Sequence, residues 1–139
     1  APGSLVPAIN SDDYAYYLQW LHYAEGSFAA RSITEFVSNR IRTQANLPKP
    51  PPTGLVDTPK VLTFMDNYLK DHAYFGGAQF SLADIMMLFP LELTESWKIA
   101  DVSPYKNLAA WRKKVKSRPA YQAMLASARP NGIPDMVQR

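Results

Sequence analysis

Cysteine is absent from this 139-residue chain. That removes a disulfide framework, a thiolate metal site and any cysteine nucleophile of the chain's own. Histidine is scarce: His22 and His72 lie on different predicted helices, with no His-x-x-x-His or Glu-x-x-His pair, so no metal site is expected. No apolar run approaches the ~18 residues of a membrane span, and no membrane partner is expected. The opening APGSLVPAIN lacks both the basic start and the apolar core of a signal peptide, so a cytoplasmic location is expected. The six glycines form neither a phosphate-cradling loop nor a G-x-S-x-G elbow. No residue of the chain is therefore assigned as catalytic.

What is present describes a globular domain. Hydrophobic residues make up 47% and charged residues 19%, and the length suits one domain. The net charge of +3 conceals an asymmetry: six basic and ten acidic residues up to Trp97, nine and two from Lys98 onward. The extreme is Arg112-Lys113-Lys114-Val115-Lys116-Ser117-Arg118, with five cations in seven positions. Such a run reads either as a nucleic-acid patch or as a solvated helix face. Leu108, Trp111 and Val115 give the same helix a core stripe, and no aromatic ladder for stacking bases accompanies it. The solvated face is the expectation, with no nucleic-acid partner.

Residues 1–10, with two prolines and a glycine, read as an extended linker, and 11–139 as the domain. Ser11-Asp12-Asp13 is an acidic helix start. From Tyr14 the pattern is apolar on nearly every side and continues past Gly26 to about Ile41, as in a helix shared between a core and an interface. The cluster Leu47-Pro48-Lys49-Pro50-Pro51-Pro52-Thr53-Gly54 breaks it and favours polyproline II. Thr58-Pro59 caps a second helix carrying Val61, Leu62, Met65, Tyr68 and Leu69. A third opens at Ser81 and contains Pro90, a fourth starts at Ser103-Pro104, and Arg118-Pro119 begins a fifth with Tyr121, Met124 and Leu125 inward. No alternating strand pattern with hairpin signals occurs. The fold class is all-α, a bundle of about five helices.

The sharpest local signal is Phe80-Ser81-Leu82-Ala83-Asp84-Ile85. With Ser81 as N-cap, Asp84 stands at N3 and reaches back to the Ser81 N–H, a capping box. Phe80 at N′ and Ile85 at N4 then form the hydrophobic staple. These four residues are structural. On the first helix Glu25 lies three positions after His22, close enough to pair with it, as a local contact or as an acid–base couple in a cleft.

The stretch Tyr74–Ile85 closely resembles the entry into the central helix of the C-terminal domain of cytosolic glutathione S-transferases. Tyr105-Lys106-Asn107-Leu108-Ala109-Ala110-Trp111 and Ser117-Arg118-Pro119-Ala120-Tyr121 are similar to that family's late helix and its Arg-Pro break. Trp20-Leu21-His22-Tyr23-Ala24-Glu25-Gly26-Ser27 resembles the first helix of this domain in a fungal and bacterial subgroup.

The resemblance implies the all-helical half of an enzyme that joins glutathione to electrophiles. An N-terminal thioredoxin-like domain, expected to be missing from this chain, would bind most of the glutathione and activate its thiol. This chain alone is then expected to be inactive. The helical half would furnish an electrophile-pocket wall from Tyr23 and Phe28 for small hydrophobic electrophiles. His22, Glu25 and Ser27 would lie near glutathione, and the full-length protein would be a homodimer working in detoxification. The alternative is a non-catalytic module of the same fold, acting as an interaction scaffold in a translation or synthetase assembly.

Overall fold

The computed structural model describes residues 4–48 and 57–128. Residues 1–3 of the expected linker and 49–54 of the proline cluster lie outside the described residues. Helix α1 (Asp13–Tyr23), a π-helical segment (Ala24–Ala29) and α2 (Ala30–Gln44) form one continuous rod. Helices α3 (Thr58–Asp71), α4 (Leu82–Ser96), α5 (Lys106–Lys116) and α6 (Pro119–Ala128) complete five rods. Among the described residues the only β pairing is a single bridge between Tyr74 and Gly77.

The π-helical segment has a geometric reason. Buried positions along the rod run Tyr17, Trp20, Ala24, Phe28, Ser32 and Glu35, with Ala29 beside them. A spacing of four drifts by about 40° per step in an α-helix. The wider π turn, at about 4.4 residues, rotates the stripe back so that Phe28 still meets the core. Gly26 sits within this segment, and the helix continues through it to Gln44.

The core lies between α1, α3, α4 and α5. Its centre is Phe75, from the α3–α4 connection, whose ring is 4.6 Å from Trp20 and 4.7 Å from Trp111. Leu62, Met65, Met87, Leu91 and Leu108 close around it with no solvent exposure. The connection itself is a tight turn in which Tyr74 and Gly77 exchange two backbone hydrogen bonds of 3.0 and 3.1 Å. Gly77 adopts φ +101, and a Cβ there would come within 2.1 Å of Asp13 Oδ1. Both the backbone and the space require glycine.

Helix starts are satisfied by side chains from other elements as often as by local caps. Asp12 occupies the first N-cap without a side-chain bond, while Asp13 accepts from the Ala78 N–H at 3.1 Å. The cap of α3 is Asp57, one residue before the expected Thr58, and it accepts from the Lys60 N–H. Thr58 instead gives both its N–H (3.2 Å) and its hydroxyl (2.6 Å) to the buried Glu35 carboxylate of α2. Helix α5 begins at Lys106, later than Ser103-Pro104, because Asp101 holds Ser103 in a turn by bonds of 2.9 and 2.8 Å. Its Leu108 N–H and Asn107 amide are taken by Asp66 of α3. Helix α6 buries none of its residues. Of the three residues expected inward, Tyr121 packs against the core cluster, and all three line an open groove, where Met124 is exposed.

Candidate functional site

Two regions carry the chemistry. The first is the α4 entry, where Ser81 caps and Asp84 bonds back in a complete capping box. The Ser81 hydroxyl accepts from the Ala83 N–H at 3.2 Å, and Asp84 accepts from the Ser81 N–H at 2.9 Å. The N–H of Leu82 is taken by the Leu5 carbonyl of the N-terminal segment at 2.9 Å. Asp84 does more than cap. Its Oδ1 also accepts from the Phe75 N–H and from the Trp111 indole N–H, both at 2.8 Å. One buried carboxylate therefore joins α4, α5 and the core turn. Burial pushes its pKa up even though four donors face it. A group so fully occupied has no lone pair to offer a ligand, and its role is structural.

The flank of this box differs from a closed staple. Phe80 lies edge-on to Tyr74 and under the Arg118 guanidinium, 3.8 Å from the ring centre. Ile85 is 46% exposed. Both residues line a groove of about 510 Å³ with Leu5, Phe89, Tyr121 and Met124. Phe89 is 59% exposed there. The sequence signal for this groove is the run Ile85-Met86-Met87-Leu88-Phe89, which carries more apolar residues than one core-facing stripe can absorb.

The second region is the middle of the long rod. His22 and Glu25 are exposed and Ser27 is half-buried. Among the described residues no hydrogen bond or ion pair joins His22 to Glu25. Tyr23 is half-buried, edge-on to Trp20 at 5.2 Å and tilted against Phe64 at 5.8 Å. Burial raises its phenol pKa and the charge of Arg31 works against that rise. Phe28 corrects the expectation made for it: it is 0% exposed, part of the core cluster, and presents no face to a ligand. The π turn that keeps the buried stripe in phase turns Phe28 inward.

The basic run is also placed differently from a solvated face. Arg112 pairs with both Glu92 and Glu95 of α4, and Lys116 pairs with Glu92 at 2.9 Å. Lys114 sits 3.8 Å above the Tyr74 ring. Four of the five cations, counting Arg118 on Phe80, are thus engaged inside the domain. Burial alone would raise the Glu92 pKa, but the hydrogen bonds and charges of Arg112 and Lys116 outweigh it and hold the carboxyl below its usual value. Glu92, Glu95 and the rings of Tyr74 and Phe80, which take up these charges, lie 17 to 40 positions away, beyond any local pattern.

A sequence model described as the glutathione S-transferase C-terminal domain matches residues 36–119, more than half of the chain. The chain belongs to the glutathione S-transferase C-terminal domain family. Glutathione S-transferase 3 of Schizosaccharomyces pombe is 39% identical over 59 residues, which cover 42% of this chain and 24% of that protein. A glutathione S-transferase from Actinobacillus pleuropneumoniae superposes with a TM-score of 0.70 at 18% identity, over 91% of this chain and 55% of its own. BphK, a bacterial glutathione S-transferase, gives 0.65 at 24% identity over 88% of this chain and 58% of its own. A sphingomonad glutathione S-transferase complexed with glutathione gives 0.63 at 23% identity, with the same coverage. These likenesses establish the shared helical fold. The chain spans about a quarter of the curated relative and just over half of the solved ones. No helix among its described residues is long and apolar enough to cross a membrane.

Proposed function

We propose that this glutathione S-transferase C-terminal domain is the helical half of an enzyme that conjugates glutathione to small hydrophobic electrophiles. In this reading residues 1–10 are the interdomain linker and 11–139 the helical domain. The partner is an N-terminal thioredoxin-like domain that binds most of the glutathione and lowers the pKa of its thiol, since the thiolate is the attacking species. The groove walled by Leu5, Ile85 and Phe89 is where we seat that domain, because it is apolar and the linker itself forms part of it. The whole enzyme is a cytoplasmic homodimer with a role in detoxification.

One observation carries the local part of the reading. His22 and Glu25 are exposed on the long rod without a hydrogen bond to each other, beside a π turn, a feature frequent at functional sites. The γ-glutamyl end of glutathione carries a carboxylate and an ammonium on one carbon. A histidine N–H suits the first and a carboxylate the second, with the Ser27 hydroxyl as a further polar neighbour. Tyr23 offers the apolar ring edge that an electrophile pocket needs, and Phe28 supports it from within the core. The interaction-module alternative draws on the basic C-terminal stretch, but four of the five cations between Arg112 and Arg118 are engaged within the domain, so no observation favours it.

The test uses the chain joined to its thioredoxin-like domain. Calorimetric titration with glutathione is expected to show weaker binding for His22→Ala with an unchanged melting curve. The chain alone is expected to turn over no chlorodinitrobenzene. Saturable conjugation by the chain alone, or unchanged glutathione affinity in the His22 variant, would overturn the respective part of the reading.

A further inference from the structure

Rings from α1, α3 and the core turn touch in an unbroken series. Tyr23 lies edge-on to Trp20 at 5.2 Å, and Trp20 is tilted against Tyr68 at 4.7 Å. Tyr68 meets Tyr16 at 5.7 Å. The His72 ring closes this end, stacked on Tyr68 at 4.0 Å and edge-on to Tyr16 at 5.0 Å. A side branch runs from Trp20 through Phe75 to Trp111, at 4.6 and 4.7 Å. Close packing by itself asks only for well-fitted apolar volume. The main series consists of indole and phenol rings, the aromatic side chains that give up an electron most readily.

The hydrogen bonds decide where such an electron deficit comes to rest, because an oxidised indole or phenol is trapped once its proton leaves to a base. Trp20 is fully buried and its N–H makes no hydrogen bond. With no base to take that proton, the oxidised ring stays a radical cation and draws an electron from its neighbour. The Tyr68 hydroxyl donates to the Phe75 carbonyl at 3.1 Å, a group too weakly basic to accept its proton. Burial raises the Tyr68 pKa, and the nearby Trp20 N–H works against that rise. Tyr68 therefore passes the deficit on without holding it. Tyr16 is 40% exposed and can release its phenol proton to water. The side branch stops at Phe75, whose ring is much harder to oxidise. Beyond it the Trp111 N–H is held by Asp84 at 2.8 Å.

We propose that Tyr23, Trp20, Tyr68 and Tyr16 form an electron-transfer path that carries one-electron oxidation by an organic oxyl radical, RO•, from Tyr23 to the surface at Tyr16. One electron passes from Tyr16 to RO•, and the Tyr16 phenol proton goes to water. The resulting RO⁻ takes a proton from water and leaves as ROH. A thiol in solution then gives a hydrogen atom to the Tyr16 phenoxyl radical and is left as a thiyl radical. The path keeps lasting oxidation out of the core around Phe75. Its entry rests on the reading that Tyr23 walls the electrophile pocket; the stretch from Trp20 to Tyr16 does not.

The absence of cysteine lets a ruthenium photo-oxidant be attached at one chosen thiol. Ala30→Cys is exposed and lies beyond Tyr23, about 20 Å along the rod from Tyr16. A light flash with a sacrificial electron acceptor oxidises the label, and a nitroso spin trap marks where the radical settles, read by peptide mass spectrometry. The labelled protein should carry its tyrosine adduct on Tyr16. Adding Trp20→Phe or Tyr68→Phe, each of which keeps a ring in place, should remove that adduct. Adding Tyr16→Phe should leave a longer-lived indole radical in transient absorption. Undiminished Tyr16 adduct in either variant with a native melting curve would overturn the path, as would equal adduct on Tyr14 or Tyr17 in the parent. Should Trp20→Phe fail to fold, Tyr68→Phe alone decides. No glutathione is present in this experiment, so its outcome and that of the glutathione titration are independent.

Discussion

Replacing Asp84 tests the central claim about how the domain is held together. Its carboxylate accepts from Phe75 N–H, Ser81 N–H, the Ser81 hydroxyl and the Trp111 indole. In Asp84→Ala the hydroxyl can rotate, but three buried N–H donors lose their acceptor. Each unpaired buried donor costs about 1–3 kcal/mol. Removing an ion that burial already penalises offsets part of this, as the raised pKa indicates. The expected net loss is about 3–5 kcal/mol, a large share of the 5–15 kcal/mol that stabilises a domain. At about 2–4 °C per kcal/mol for a chain near this size, the melting temperature should fall by roughly 10–15 °C. Asp84→Asn keeps one oxygen for Phe75 and Trp111 but turns an NH₂ toward Ser81, and should lose about 1–3 kcal/mol. Ser81→Ala, a plain cap loss, should cost about 1 kcal/mol. The pH dependence supplies a second check. A folded-state pKa above the unfolded value means that this group's contribution is fully present below the unfolded pKa. It declines as pH rises through the folded pKa. The stability gap between wild type and Asp84→Asn should therefore be widest in acid and narrow toward neutral pH. Chemical denaturation of the four proteins, with the wild type and Asp84→Asn repeated across pH, reads all of this. Equal midpoints for wild type and Asp84→Ala, or a gap that widens toward neutral pH, would refute the reasoning.

Gly77→Ala combines a positive φ with a collision against Asp13, and should cost about 2 kcal/mol or more in a thermal melt, whereas Gly26→Ala, inside a helix with open space, should gain about 0.5–1 kcal/mol. Glu92→Gln removes the acid between Arg112 and Lys116. Because the Glu92 pKa is lowered, its contribution is present above the unfolded carboxyl pKa and is lost as pH falls through the folded value. The stability difference between wild type and Glu92→Gln should therefore be present at pH 7, fade in acid, and shrink as salt is added.

Much of this fold was legible because it rests on local rules. The α4 entry is written within six residues, and the stripes Leu108-Trp111-Val115 and Val61-Leu62-Met65 follow the helical period. What escaped depends on partners distant in the chain. Nothing near Thr58 announces that Glu35 will accept both its donors, so the local pattern puts the cap one residue late. Nothing near Asp84 announces Trp111. The cations from Arg112 to Arg118 have no acids beside them in sequence, and only the packing of α5 on α4 brings Glu92 and Glu95 within reach. The burial of Phe28 is not legible because its neighbours are polar or small, and a run without clear amphipathicity gives no inside or outside. The π turn that decides the matter has no sequence signature of its own.

The hydrogen bond from the Leu82 N–H to the Leu5 carbonyl has a bearing on how such domains can be recombined. The first turn of a helix has donors that its own backbone cannot satisfy, and here one of them is met from outside the helical bundle. A crossover placed at residue 11, where the helices start, would exchange that carbonyl for whatever the donor parent supplies. A hybrid joined there inherits a misfitted α4 entry even if both parents are stable. One joined ahead of Ser4 carries the matching strand of backbone with it. The inheritable unit of this half is therefore longer than its helices.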